Sequence, residues 1–232
     1  MILKLKEKKE ATAGVLTFIF EPQEKLEWVP GQYLHYVLHH EPTDNRGSDR
    51  WFTNAAAPYE NHVQITTRIT QDKGSSFKKK LASLKEGDEI EISYVEGDFT
   101  LDNPDLEYVF IAGGIGITPF RSILRQLDHD KKPINVNLIY ANRDQNVVFR
   151  DELEELSTRN PNLKINYVFS PEHIDENKVK ELVPDFNPPA GGPIFYVSGP
   201  EPMVDSLNEM LEKMGIPKEH IKGDWFPGYP AE

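Results

Sequence analysis

Ala112-Gly113-Gly114-Ile115-Gly116-Ile117-Thr118-Pro119 separates a short apolar run, residues 108–112, from a segment with helical period. Phe120, Ile123, Leu124 and Leu127 fall at i, i+3, i+4 and i+7, one face of a helix. Strand, glycine turn and helix start form a layout that holds an anion, because the helix's unpaired N–H groups and its dipole both point at the turn. Glycine lets backbone approach a ligand closely. Pro119 fits a first helical turn, where a missing N–H costs nothing. The same layout also serves plain packing, and the rest of the chain has to decide between the two.

Toward the C-terminus the alternation repeats. Strands are expected over residues 135–141, 164–170 and 194–198, and helices over 150–160, near 175–182 and from 203 to 214. The last helix carries Met203, Leu207, Met210, Leu211 and Met214, a stripe that reads as core, and stops at Gly215 with Pro217 beyond. Such alternation indicates a doubly wound parallel sheet. Ligands of these sheets sit outside the C-terminal ends of the strands. Residues 113–118, Asn142 and Arg143, Ser170, and residues 198–202 all fall there.

Toward the N-terminus the pattern is different. Residues 1–101 read as short strands between turns: 14–21, 32–39 after Pro30-Gly31, 51–56, 63–69 and 89–94. In the last of these, Ile90, Ile92 and Tyr94 alternate with Glu89, Glu91 and Ser93. A helix over 75–84 interrupts them, with Ser75 or Ser76 as its N-cap. The expected form is a small antiparallel barrel or sandwich. Asp102-Asn103-Pro104-Asp105 is a polar hinge, which places the expected domains at 1–102 and 103–232.

Three places in the first half carry chemistry. Arg50-Trp51-Phe52-Thr53 offers a guanidinium for a phosphate, an aromatic for a flat ring and a hydroxyl for a ring heteroatom, though an ordinary edge strand reads the same way. Gly74-Ser75-Ser76 opens the short helix and is either a phosphate seat or a simple cap. Glu96-Gly97-Asp98-Phe99 is a turn that closes the last strand.

Composition narrows the function. The chain has 232 residues, no cysteine, and a formal net charge of −12. Without cysteine there is no disulfide, cysteine-ligated iron–sulfur cluster or cysteine nucleophile in it. The charge disfavours nucleic acid and anionic membranes as partners, with Lys78-Lys79-Lys80 as the one basic cluster. The seven histidines show no metal-ligand spacing. No apolar run nears the ~20 residues of a membrane span, and the N-terminus turns charged at once, so a cytoplasmic location without membrane insertion is expected.

Taken in order, these motifs resemble the ferredoxin–NADP reductase family over nearly the whole chain. Pro30-Gly31-Gln32-Tyr33 is similar to the family's PGQY, Arg50 to Thr53 to its RxYS/T flavin motif, and Gly74-Ser75-Ser76 to its GxxS phosphate loop. Gly97-Asp98-Phe99 is similar to the end of GxxGxF, residues 113–119 to GGxGITP, and Ser198-Gly199-Pro200-Glu201-Pro202-Met203 to CGPxPM. The resemblance implies FAD in an N-terminal β-barrel and NAD(P)H in an α/β domain. It implies that Arg50, with Gly74, Ser75 and Ser76, holds the pyrophosphate, that Phe52 packs on the flavin, and that Thr53 bonds near N5. Thr67 and Arg68 would serve the ribityl and adenine side. Gly113, Gly114, Ile115, Gly116, Ile117 and Thr118 would receive the nicotinamide and its pyrophosphate, with Ile117 and Thr118 facing the ring. Ser198, Gly199, Pro200 and Met203 would flank it, and Asn142 and Arg143 would meet the adenosine. One of Trp225, Phe226 and Tyr229 would cover the flavin's second face and move aside during turnover.

Phe52 stands where the family has tyrosine, Ser198 where many members have cysteine, and Val95-Glu96 departs from GxxGxF. The implied activity is an NAD(P)H-dependent flavin oxidoreductase that passes electrons to a separate acceptor: ferredoxin, flavodoxin, another carrier or a small molecule. The alternative is an electron-transfer or regulatory subunit that holds both cofactors without turnover of its own. Neither the choice of NADH or NADPH nor the oligomeric state follows from these residues.

Overall fold

The computed structural model describes residues 1–70, 74–183 and 192–226. The chain divides into two compact units, Met1–Thr100 and Leu101–Glu232.

The first unit is built from strands β1 (Ile2–Thr12), β2 (Val15–Pro22), β3 (Tyr33–Val37), β4 (Asp49–Thr53), β5 (Val63–Arg68) and β6 (Glu89–Glu96), with helix α1 (Ser76–Ser83) between the last two. The strands form one antiparallel sheet in the order β4-β3-β6-β1-β2-β5. Alternation turns Leu3, Leu5, Phe18, Phe20, Leu34, Tyr36, Ile65, Ile90 and Ile92 inward, and Phe77 and Leu81 of α1 join them in one core. The sheet curls into a half-barrel whose edge strands, β4 and β5, meet just past Thr53. There the Ala55 N–H donates to the Gln64 carbonyl at 2.9 Å. The Asn54 Oδ1 accepts the N–H groups of Gln64 at 2.9 Å and Ala56 at 3.1 Å. That side chain takes backbone donors a longer ladder would need, so β4 stops at Thr53 and not at residue 56.

Three further differences from the sequence reading have local causes. β1 was not expected, because of its eleven residues only Leu3 and Leu5 are buried, among lysines and glutamates. Tyr94 is 60% exposed, although alternation put it inside. Leu34 pairs with Val95 and Tyr36 with Ile92, so a bulge inserts one residue and slips the phase; Val95 packs on the core in place of Tyr94. β3 ends at Val37, which leaves His39 and His40 beyond the strand. Ser75 is the α1 N-cap: its Oγ accepts the Lys78 N–H at 3.2 Å.

The second unit alternates β7 (Tyr108–Gly113), α2 (Ile117–His129), β8 (Val136–Asn142), α3 (Arg150–Arg159), β9 (Leu163–Phe169), α4 (Glu176–Leu182), β10 (Ile194–Pro200), α5 (Glu201–Lys213) and β11 (Ile221–Phe226). All pairs in its sheet are parallel, in the order β11-β10-β7-β8-β9. β7 is buried along its whole length, as a central parallel strand covered on both faces must be. The chain leaves β7 for β8 on one side and reaches β10 on the other, so the glycine turn sits where the strand order reverses. β11 was not among the expected strands. It is an edge strand whose Lys222, Gly223 and Asp224 interrupt any apolar pattern, and it is held by its register with β10. Among the described residues no helix is long and apolar enough to cross a membrane.

Candidate functional site

In the first unit, β4 turns Arg50 and Phe52 toward the core side. They pair with Tyr36 and Leu34, both fully buried, while Trp51 faces outward and is 44% exposed. The Phe52 ring lies 5.8 Å from Tyr36 and 5.9 Å from Phe77 of α1, and the Arg50 guanidinium sits 5.4 Å above the same Phe77 ring. Arg50 is thus fixed beside the start of α1. Its Nη1 donates to the Arg46 carbonyl at 2.6 Å and to that of Asp49, while Nη2 is buried with no hydrogen-bond partner. Burial lowers its pKa, and the carboxylate of Asp44 opposes that; the group stays charged.

Asp44 was not singled out from sequence. Its carboxylate sits at the N-terminus of α1, where Oδ2 accepts the Ser76 N–H at 2.8 Å, and the Asp44 amide donates to Ser76 Oγ at 3.0 Å. Arg46 donates to the same Oδ2 through Nη2 at 2.7 Å and Nε at 3.2 Å, and Arg50 Nη2 lies 4.0 Å from Oδ1. The Arg46 hydrogen bond, then the Ser76 N–H, hold this carboxyl well below the usual range. In Pro42-Thr43-Asp44-Asn45 an aspartate reads as a turn residue, and only a contact spanning 32 positions gives it another role.

The remaining first-unit residues divide into packed and exposed. Gly74 is required by its own turn, since an added Cβ would lie 2.2 Å from the Thr70 carbonyl oxygen. Gly97, at φ +107°, lies against the Tyr33 ring. Thr67 is buried on β5 and Arg68 is exposed, with its carbonyl accepting from Lys78 Nζ at 3.3 Å. Thr53 is 3% exposed, and its Oγ1 is buried without a hydrogen-bond partner.

In the second unit the loops after β7 and β10 are pressed together. A Cβ on Gly116 would stand 2.1 Å from the Ser198 carbonyl oxygen, and one on Gly113 would stand 2.4 Å from the Met203 sulfur. An added Cβ on Gly199 would meet the Gly113 Cα at 3.3 Å. These three glycines serve close packing. Gly114 differs: its φ is +52° and nothing lies within 4 Å of the added Cβ. The Tyr140 hydroxyl donates to its carbonyl at 2.9 Å and fixes the turn. Ile117 and Thr118 are both buried, and Thr118 Oγ1 donates to the Ile115 carbonyl at 3.0 Å. The part of the loop that reaches the surface is therefore Gly114 and Ile115, not Ile117 and Thr118.

Ser198 is fully buried, and its Oγ lacks a partner. Pro200 caps α5, and Met203 packs half-buried on Gly113. Trp225 and Phe226 align in register with Gly199 and Pro200, with Trp225 49% exposed; Tyr229 lies outside the described residues. At the ends of β8 and β9 the Asn142 carbonyl accepts the Ser170 N–H at 3.2 Å, Asn142 Nδ2 is buried without a partner, and Arg143 is exposed. The second unit thus gathers Gly113, Gly114, Gly116, Ser198, Gly199, Met203 and Trp225 at the C-terminal ends of β7, β10 and β11, with Asn142 at the end of neighbouring β8.

Residues 110–209 match the family model described as oxidoreductase NAD-binding domain. The chain is 30% identical over 234 residues to a flavohemoprotein of Burkholderia sp. (strain TH2), covering 96% of this chain and 57% of that protein. It is 26% identical over 233 residues to the ferredoxin reductase component of a 3-ketosteroid-9-alpha-monooxygenase from Rhodococcus rhodochrous, covering 97% and 65%. The chain therefore spans less than two thirds of the length of these relatives. Its fold matches that of ferredoxin-NADP+ reductase from Plasmodium falciparum with a TM-score of 0.82, at 17% identity over 97% of this chain and 95% of that one.

Proposed function

From the match of residues 110–209 to an oxidoreductase NAD-binding domain, the likeness of nearly the whole chain to a ferredoxin reductase component and a fold shared with ferredoxin-NADP+ reductase, we infer that this chain binds FAD in its first unit and NAD(P)H in its second, oxidises the nicotinamide, and passes the electrons to a separate carrier. The observation that carries this reading is a pair of buried hydroxyls left without partners, Thr53 Oγ1 and Ser198 Oγ. An unmade buried hydrogen bond costs about 1–3 kcal/mol, and such groups persist where a bound molecule completes them. Each lies at the end of a strand in a motif associated with one of the two cofactors.

When bound, the flavin supplies the redox chemistry, accepting a hydride at N5 and releasing electrons onward. The residues bind and orient. Arg50 offers an Nη2 without a hydrogen-bond partner to an anionic phosphate, and Ser75 and Ser76 open the helix beside it. Phe52 is the flat apolar wall on the same face. Gly114 and Ile115 form the accessible part of the second anion-binding turn, with Ser198 Oγ as a buried hydrogen-bonding group behind it. The carrier that takes the electrons is a redox protein or a small-molecule acceptor, as in reductase components that serve a separate oxygenase.

The test is steady-state turnover of ferricyanide by the purified chain, supplied with FAD and either NADH or NADPH. We expect turnover that depends on added flavin. Replacing Arg50 by alanine should weaken FAD binding by about 1.5–3 kcal/mol, roughly ten- to hundredfold in Kd. Absence of turnover at saturating FAD would leave only cofactor binding, and unchanged FAD affinity in the Arg50 variant would remove that residue from the site.

A further inference from the structure

We propose that Asp44 is an internal stand-in for a flavin phosphate, so that FAD binding requires its carboxylate to leave the N-terminus of α1. This rests on the reading of the first unit as the FAD domain. The donors proposed for the pyrophosphate are the Ser76 N–H, the Ser76 hydroxyl and the Arg50 guanidinium. The Ser76 N–H is bonded to Asp44 Oδ2 at 2.8 Å, its hydroxyl accepts the Asp44 amide at 3.0 Å, and Arg50 Nη2 is 4.0 Å from Oδ1. A carboxylate and a phosphate cannot share these groups, because both are acceptors only and both are anionic.

The geometry favours exchange over permanent closure. Asp44 lies in the loop between β3 and β4, which is anchored by its ends: Val37 pairs with Asp49, and the Leu38 N–H donates to the Ser48 carbonyl at 2.8 Å. Asp44 and its partner Arg46 can therefore move without opening the β3–β4 ladder. Asn45 and Arg46 are exposed, and Gly47 takes φ +76°, a conformation that lets the loop turn tightly. The pairing with Arg46 is local, through its amide, Nε and Nη2, and moves with the Asp44 carboxylate, so release breaks only the contacts to Ser76 and Arg50.

The experiment compares wild type with Asp44→Asn and Asp44→Ala, all prepared flavin-free. FAD affinity is read from quenching of flavin fluorescence, and thermal stability is measured with and without inorganic pyrophosphate. Removal of the like charge should tighten FAD binding by about three- to tenfold. It should lower the Tm of the flavin-free protein by about a few degrees, since α1 loses an anion at its N-terminus. Pyrophosphate should raise the Tm of the variants more than that of wild type. Weaker or unchanged binding of both FAD and pyrophosphate in the variants overturns the proposal and makes Asp44 a fixed support of Ser76. If no form binds FAD but the variants still gain the pyrophosphate response, the FAD reading fails while the role of Asp44 stands.

Discussion

Ser198 is the residue whose environment says most for its size. A serine hydroxyl that is fully buried and unbonded destabilises the second unit, and the backbone carbonyl of this serine packs against Gly116 where β10 ends. Ser198→Ala should leave thermal stability unchanged or raise it by up to about 1 kcal/mol, because it removes an unpaired buried hydroxyl and orphans no partner. Flavin reduction by NAD(P)H should nevertheless slow. A loss of stability without a change in reduction rate would assign the hydroxyl to the fold. Ser198 was legible as a motif position, and so were Arg50 and Thr53; Asp44 was not, because its partners are 32 residues away and a turn composition masks it. Thr118 shows the converse. Its place in the glycine motif implied a ring contact, while its hydroxyl donates to the Ile115 carbonyl and its side chain is covered.

At the scale of elements, the glycine turn does two jobs with different glycines. Gly116 lets the start of α2 touch the backbone of β10; Gly114 supplies a left-handed turn at an open surface. Gly116→Ala forces a Cβ to within 2.1 Å of a carbonyl oxygen, and because backbone cannot yield as a side chain can, it should destabilise the second unit by about 1–3 kcal/mol or more. Gly114→Ala meets no atom and should cost only about 1 kcal/mol for its φ, while weakening NAD(P)H binding. Paired denaturation and NADH-binding measurements check both, and equal losses of stability would show that the two glycines do the same work. The elements themselves were mostly readable, since a central parallel strand is continuously apolar and α2 has clean helical period. β11 escaped notice because an edge strand carries charged residues, and β1 because its exposed positions are lysines and glutamates and it pairs with β6 only over Ile2–Lys4. Tyr94 was misplaced because a bulge cannot be seen in an alternating string.

Across the whole molecule, two units with separate cores each present a helix start proposed to receive an anion, one with an arginine and a capped serine helix, the other with a glycine turn at a sheet reversal. Neither unit alone accounts for a redox reaction; the inference is that the chain joins a flavin to a nicotinamide. The net charge of −12 adds that an acidic carrier would need a local basic site, and Lys78-Lys79-Lys80 is the one run of three basic residues in the sequence. Hydride transfer from nicotinamide C4 to bound flavin is tested most directly by anaerobic stopped-flow mixing of the FAD-loaded chain with NADH or NADPH, each compared with its C4-deuterated form. One or both nucleotides should bleach the flavin, and deuteration should slow the bleaching. Flavin that stays oxidised with both nucleotides would contradict it and leave a chain that holds cofactors without using them.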